Sequence, residues 1–330
     1  MAENLLELRN VSMVFGDGPK RTVALDDYSL NLAAGKASVV TIAGESGSGK
    51  TTLARLVLGF ARPTAGEVLY NGRNIWEMSG AEWKTYRREV QAIFQDPFAV
   101  YNPFYTVDRL LLSPLKSFGI AKNRAQAVPQ IEGALEQVGL RATDVLGRYP
   151  HQLSGGQRQR LTVARCLLLK PRLIVADEPV SMIDASLRAT ILDALRKLKE
   201  EHDISLVYIT HDLATAYQIS ERMEILYRGQ AVETGNATTI IQTPAHPYTQ
   251  LLIDSIPIAD PEQTWDTEVA IPTDDAGGGG ERAGCLFRWR CPHAMEICAA
   301  ARPPYYSVGE NRASACYLYN DQPTIAGEAK

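Results

Sequence analysis

Apolar residues recur along this chain in two rhythms. Leu5 to Met13 and Ala24 to Leu32 alternate imperfectly and are separated by Gly16-Asp17-Gly18-Pro19, a pattern that predicts strands joined through a turn. Ser38-Val39-Val40-Thr41-Ile42-Ala43 is instead a short apolar run of the kind buried on both faces of a sheet. A glycine-rich stretch and then a helical pattern follow it directly. Leu173-Ile174-Val175-Ala176 and Ile204-Ser205-Leu206-Val207-Tyr208-Ile209 are two more such runs. Between them Leu187, Ile191, Ala194, Leu195 and Leu198 fall at helical spacing, with Arg196, Lys197, Lys199, Glu200 and Glu201 on the other faces. Residues 186–202 are therefore predicted helical, and strand, helix and strand form a βαβ unit feeding a parallel sheet.

Residues from about 97 to 165 read differently. They are rich in helix formers, as in Arg124 to Val138, and lack strand runs, which predicts a helical subdomain inserted into an α/β fold. Met223 to Tyr227 and Gln230 to Glu233, joined by Arg228-Gly229, predict a hairpin. After about Pro257 the texture changes to prolines, acids and the run Gly277-Gly278-Gly279-Gly280, the mark of a flexible linker. The expected division is a domain over 1–255 and a small cysteine-bearing extension over 256–330.

Composition narrows the class. The 330 residues are 45% hydrophobic with a net charge of −4, which disfavours disorder and leaves no electrostatic footprint for nucleic acid. No apolar run approaches the ~18 residues of a membrane span. The first residues have neither a basic stretch nor an apolar block, so no secretion signal is expected. Of the five cysteines, Cys166 stands alone and Cys285, Cys291, Cys298 and Cys316 crowd the end of the chain. In a reducing compartment such crowding points to metal sooner than to disulfides, although the spacing C-x5-C-x6-C-x17-C lacks the C-x-x-C pairs of zinc ribbons and ferredoxins.

The sharpest chemistry lies between the third strand and its helix. Gly44-Glu45-Ser46-Gly47-Ser48-Gly49-Lys50-Thr51 matches G-x-x-x-x-G-K-[ST] at every fixed position. Glycines let successive backbone N–H groups close on phosphate oxygens, and the helix N-terminus adds positive partial charge. Lys50 then reaches the β- and γ-phosphates and the Thr51 hydroxyl ligates Mg²⁺, with Thr52 beside it. Position 52 excludes a dinucleotide fingerprint, which needs glycine there. Asp177, ending an apolar run, suits the Mg²⁺ carboxylate, and Glu178 suits a base for the water that attacks the γ-phosphate.

A second anion site is written in Leu153-Ser154-Gly155-Gly156-Gln157, where Ser-Gly-Gly opens a predicted helix. This motif resembles the signature of ATP-binding cassette (ABC) ATPases. With Gln95, Asp177-Glu178, Asp184 and His211 in that family's order, the resemblance covers residues ~5 to 255. It implies a P-loop NTPase fold: a RecA-like core, an antiparallel β region at the N-terminus and an inserted helical subdomain. It also implies a head-to-tail dimer, in which the signature of one subunit closes on ATP held by its partner. By position, Gln95 contacts Mg²⁺ and the attacking water, Asp184 lies in the loop between subunits, His211 touches the γ-phosphate and Phe15 stacks on adenine. The family more often has Ala-Leu where this chain has Met182-Ile183.

Finer motifs resemble the ATPases of dipeptide and oligopeptide importers, some of whose relatives serve oligosaccharides. They are Phe94-Gln95-Asp96-Pro97-Phe98 with Asn102-Pro103, then His246-Pro247-Tyr248-Thr249 with Ser255-Ile256-Pro257, and the tail from Gly284-Cys285 through Arg290-Cys291-Pro292 and Cys298 to Cys316. The resemblance implies two membrane permease subunits, an extracytoplasmic substrate-binding protein and a position on the cytoplasmic face of the membrane. Phe98, Tyr101, Phe104 and Tyr105 are candidate contacts for the permeases. It also implies a four-iron four-sulfur cluster on Cys285, Cys291, Cys298 and Cys316, with zinc or free thiols as alternatives and His293 as a weaker ligand. The competing function is a soluble ABC ATPase acting in regulation or assembly. Chromosome and DNA-repair ATPases fit less well, because no long coiled coil separates Lys50 from Ser154, and translation factors of this type carry two cassettes in one chain.

Overall fold

The computed structural model describes residues 3–18, 21–96, 101–256 and 282–325. Strands β1 (Asn4–Phe15) and β2 (Thr22–Ala33) run antiparallel, from Asn4 opposite Ala33 to Phe15 opposite Thr22. Leu6, Leu8, Val11, Leu25, Leu30 and Leu32 are buried on one face, the alternation expected of a sheet with one solvated side. Four register shifts along the pair explain why that alternation is imperfect in the sequence.

Next in the chain, β3 (Val39–Ala43) is buried at every residue and leads into α1 (Lys50–Val57). Then β4 (Ala65–Tyr70) joins the far side of β1, and β5 (Arg73–Asn74) completes a four-stranded antiparallel sheet. Helix α2 (Gly80–Glu89) starts at a capping box of Ser79 and Glu82 and precedes β6 (Val90–Ile93). The hydrophobic pattern predicts none of the elements from β4 to β6. The reason is visible in α2, where only Tyr86 is buried and no apolar stripe marks the helix.

Helices α3 (Asp108–Ser117), α4 (Arg124–Gln137), α5 (Ala142–Val145) and α6 (Gly155–Leu167) lie between β6 and β7 (Leu173–Asp177). Leu111, Leu115, Ile131, Leu135 and Leu161 form their shared core. After β7 come α7 (Ala185–His202), β8 (Ser205–Thr210), α8 (Leu213–Ile219) and β9 (Arg222–Tyr227). Five strands run parallel in the order β6-β7-β8-β3-β9, so the expected βαβ unit pairs β7 directly with β8.

The hairpin partner β10 (Gln230–Asn236) adds antiparallel to β9, and α9 (Ala237–Gln242) and α10 (Pro247–Asp254) follow. The glycine run 277–280 lies outside the described residues. Helix α11 (Ile297–Ala300) precedes β11 (Tyr305–Gly309), β12 (Arg312–Ser314) and β13 (Thr324–Ile325). Strands of the cysteine-bearing extension join the sheet of the preceding domain. β12 pairs with β10, Glu233 opposite Ser314, and β11 and β13 extend the same sheet to nine strands. The junction is held by a buried ion pair in which Arg312 Nη2 donates to Glu233 at 2.7 Å. Among the described residues no helix is long and apolar enough to cross a membrane.

Candidate active site

The parallel strands end at one edge, and the chemistry gathers there. Gly44 follows β3 at φ 154°, where a Cβ would stand 2.2 Å from the Leu226 carbonyl oxygen. At Gly49 (φ 111°) a Cβ would come within 2.3 Å of the Ala24 carbonyl oxygen. Only glycine lets this loop lie so close to β9 and β2. The Lys50 ammonium donates to the Gly44 and Glu45 carbonyls, each at 2.7 Å. Burial lowers its pKa, and the nearby charges of Glu178, Asp177 and Glu45 oppose that shift. A buried cation that bonds only carbonyl and hydroxyl oxygens of its own loop is poised to exchange them for phosphate oxygens.

The Thr51 hydroxyl donates to Asp177 at the end of β7. Desolvation, and then the charge of Glu178, hold the Asp177 carboxyl above the usual carboxylate range. A divalent cation is the natural relief for two adjacent carboxylates beside a hydroxyl ligand. Glu178 adopts φ 47°, and its N–H donates to the Ile209 carbonyl at 2.8 Å, which turns the side chain toward β8. Its Oε1 lies 2.9 Å from Nδ1 of the largely exposed His211.

A cleft of about 910 Å³ is lined by Gly44, Glu45, Ser46, Gly47, Gly49, Lys50, Thr51, Thr52, Gln95, Glu178 and His211. Ser48, in the same loop, is buried. Thr22 to Ala24, Asp212, Leu213, Leu252, Ser255 and Ile256 also line it, and sequence reasoning named none of these as site residues. They come from strand and helix ends far apart in the chain; only Ser255 and Ile256 belong to a motif, and that motif does not assign them to the nucleotide. Phe15 does not line the cleft, although it pairs with Thr22, which does. Ser154, Gly155, Gly156, Gln157 and Asp184 also lie outside it. Ser154 accepts from Gln157 N–H at 3.2 Å while its own N–H donates to the Gln157 side chain at 2.9 Å, a capping box that fixes the start of α6. Asp184 is exposed at the start of α7 and makes no side-chain cap.

A second hollow of about 720 Å³ separates α2 from α3 and is lined by Trp83, Lys84, Arg87, Tyr101, Tyr105 and Arg109 among others. Tyr101 is tied into the helical core by its hydroxyl, which donates to the Arg158 carbonyl at 2.7 Å. Tyr105 carries the Arg109 guanidinium 3.7 Å above its ring. Phe104 is almost fully exposed and does not line the hollow, and Phe98 lies outside the described residues.

The four late cysteines converge with His246 and His293 on one cavity of about 10 Å³, room for at most one water. Burial pushes the thiols of Cys285 and Cys291 up, and that of Cys316 up to about 12. Among the described residues, no three histidine, cysteine or acidic side chains stand in an arrangement that could hold a metal ion. The expected iron–sulfur cluster therefore finds the right donors in kind and number, but not in placement.

Two family models match the chain. "ABC transporter" covers residues 25–181, and "Oligopeptide/dipeptide transporter, C-terminal region" covers 232–298. The chain is 35% identical to the oligopeptide transport ATP-binding protein OppF of Haemophilus influenzae, over 94% of this chain and 93% of that one. It belongs to the oligopeptide-type ABC transporter ATP-binding proteins. It is also 37% identical to the OppF protein of Escherichia coli, over 90% of this chain and 88% of that protein. Among solved structures, the ATP-binding cassette MJ0796, described as a dimer in a post-hydrolysis state with ADP and Pi, aligns at TM-score 0.61 and 28% identity. The alignment covers 70% of this chain and 98% of that one. cbiO1 from Clostridium perfringens aligns at TM-score 0.64 and 22% identity over 73% and 92%, which speaks for the fold. The chain is thus an ABC ATPase that works with ATP and Mg²⁺, and family membership implies a second cassette and membrane subunits as partners.

Proposed function

We propose that this chain binds MgATP along the cleft, hydrolyses it and drives the import of peptides through two permease subunits at the cytoplasmic face of the membrane. The observation that carries the reading is the placement of Glu178 and His211, 2.9 Å apart, in the cleft that Lys50 also lines. When nucleotide enters, Lys50 leaves the Gly44 and Glu45 carbonyls for the β- and γ-phosphates. Thr51 and Gln95 would hold Mg²⁺, with Asp177 behind Thr51, and the metal would supply neutralisation of the phosphate charge. Glu178 takes the proton of the attacking water, and His211 orients that carboxylate and donates toward the γ-phosphate. Phe15 stacks on adenine, a reading supported by its pairing with Thr22, which lines the cleft.

Ser154, Gly155, Gly156, Gln157 and Asp184 serve the nucleotide of the second subunit, a reading supported by their position outside this chain's own cleft. Closing and reopening of the head-to-tail pair is a rigid-body motion, and the hollow between α2 and α3, with Tyr101 and Tyr105 on its wall, receives the permeases. Peptide is the cargo favoured by the relatives, which are oligopeptide transport ATP-binding proteins. An oligosaccharide cargo has behind it only the resemblance of Met182-Ile183 to sugar-type relatives. An extracytoplasmic binding protein delivers the cargo. An iron–sulfur cluster on Cys285, Cys291, Cys298 and Cys316 is supported only by their convergence on one cavity. Iron and sulfide in anaerobically purified protein would carry it, and colourless, iron-free protein removes it.

The test is purification of the tagged chain from detergent-solubilised membranes. Two membrane proteins in constant ratio, and ATPase activity stimulated by peptide with its binding protein, are the expected result. Recovery of the chain alone from the soluble fraction, with no membrane partner, favours the regulatory or assembly role instead.

A further inference from the structure

Glu45 sits inside the phosphate loop, where a carboxylate is an awkward neighbour for a triphosphate. Its side chain accepts two hydrogen bonds from Arg290, Nη1 to Oε2 at 2.9 Å and Nη2 to Oε1 at 2.8 Å. Arg290 is the residue before Cys291, in the C-terminal segment, 245 positions away. Its guanidinium is mostly buried, lies 5.7 Å from the Phe287 ring centre and bonds the Tyr227 side chain. The Glu45 backbone is held as well, its N–H donating to the Tyr248 hydroxyl at 2.8 Å. Tyr227, Tyr248 and Phe287 pack on one another with ring centres 4.5 to 5.5 Å apart, so the arginine comes from a rigid wall.

We infer that Arg290 is a positioning residue for the nucleotide site: it neutralises Glu45 and clamps the phosphate loop open for the triphosphate. The inference rests on the nucleotide reading above. Docking of the tail does not by itself need this pair. Arg282 bonds Asp26 at 3.1 Å, Arg302 lies 3.6 Å from Asp27, and Arg312 is buried against Glu233, none of them a residue of the loop. A bidentate guanidinium fixes the carboxylate in one plane, which a single-point contact would not. Freed of it, Glu45 would return a full negative charge to the wall of the cleft, close to Lys50, whose own charge it already feels.

The experiment is ATP binding to the full chain with Mg²⁺, by calorimetry, for wild type and variants. Arg290→Gln is expected to raise the Kd for ATP about tenfold, a loss of ~1.4 kcal/mol. The same change made in a Glu45→Gln background should raise it less than about twofold, because the charge that needed neutralising is gone. Arg290→Lys keeps the cation and loses the fork, so about a threefold rise is expected; it also serves if the glutamine variant does not fold. Arg302→Gln, which cuts a tail anchor that makes no bond to a loop residue, should stay within about twofold of wild type. In the assembled transporter, Arg290→Gln should raise KM for ATP while kcat holds within about twofold. The inference is overturned if Arg290→Gln binds ATP like wild type, if its loss is equal in both backgrounds, or if Arg302→Gln weakens ATP as much. A wild-type chain that does not bind ATP at all would instead remove the nucleotide reading.

Discussion

Replacing Glu178 by Gln tests the proposed chemistry with little else disturbed. The glutamine is nearly isosteric, and the backbone that sets the residue, φ 47° with N–H donating to Ile209 at 2.8 Å, does not depend on the carboxylate. One end or the other of its amide pairs with His211 Nδ1, which lies 2.9 Å from the Glu178 Oε1, whichever ring nitrogen carries the proton, so the histidine keeps its place. What is lost is the proton acceptor for water. A positioned general base contributes ~10²–10⁴ in rate, or about 3–5 kcal/mol of barrier. One negative charge is also removed beside Lys50 and Asp177, which on Coulomb grounds leaves ATP affinity equal or somewhat tighter. Phosphate release in a single turnover at saturating ATP, measured with nucleotide affinity on the same preparation, separates the two effects. The expected result is turnover down at least 100-fold with Kd for ATP no more than about threefold weaker. Turnover within tenfold of wild type would refute the assignment of Glu178 as base.

Two other changes address stability. Arg312→Met strands the fully buried Glu233 with only the Ala245 and His246 N–H donors at 3.0 and 2.9 Å. Breaking a buried pair costs ~3–5 kcal/mol, so thermal denaturation should shift down by roughly 5–10 °C; a shift under about 2 °C would show the pair is not needed. His246 caps α10 through Nδ1, which accepts from Tyr248 N–H at 3.0 Å, and burial lowers its pKa from 6.5 to about 3. The folded state therefore binds fewer protons than the unfolded one between those values, and stability falls as pH drops through 6.5, by up to ~1.4 kcal/mol per unit. His246→Asn keeps a capping oxygen and should flatten the urea midpoint between pH 4.5 and 7; an unchanged acid limb would exclude His246 as its source.

Legibility followed the range of the interactions. The phosphate loop, Asp177, Glu178 and His211 are each set by a strand end whose apolar run is continuous, so local pattern and motif agree. Their assembly is a property of the parallel order β7-β8-β3, which puts three such ends side by side. Thr22 to Ala24 and Leu252, Ser255 and Ile256 reach the cleft only because β2 and the end of α10 pack beside it, and no short segment encodes that. Arg290 is the clearest case of a hidden role. In sequence it reads as one basic residue next to a cysteine, and its partner lies in the first fifth of the chain. The tail as a whole was legible by its cysteines but not by its strands, since β11, β12 and β13 are five, three and two residues long and carry polar positions.

The way the tail completes the sheet bears on how this chain stays out of trouble with copies of itself. A bare β10 would present unpaired N–H and C=O groups along a strand whose side chains are almost all buried, and such a border recruits any other strand that meets it. β12 and β11 move the border outward, to the two-residue β13, too short to template a neighbour. A cassette cut after residue 256 would therefore be expected to turn sticky and self-associate through that border, on top of the weaker ATP binding that follows from losing Arg290.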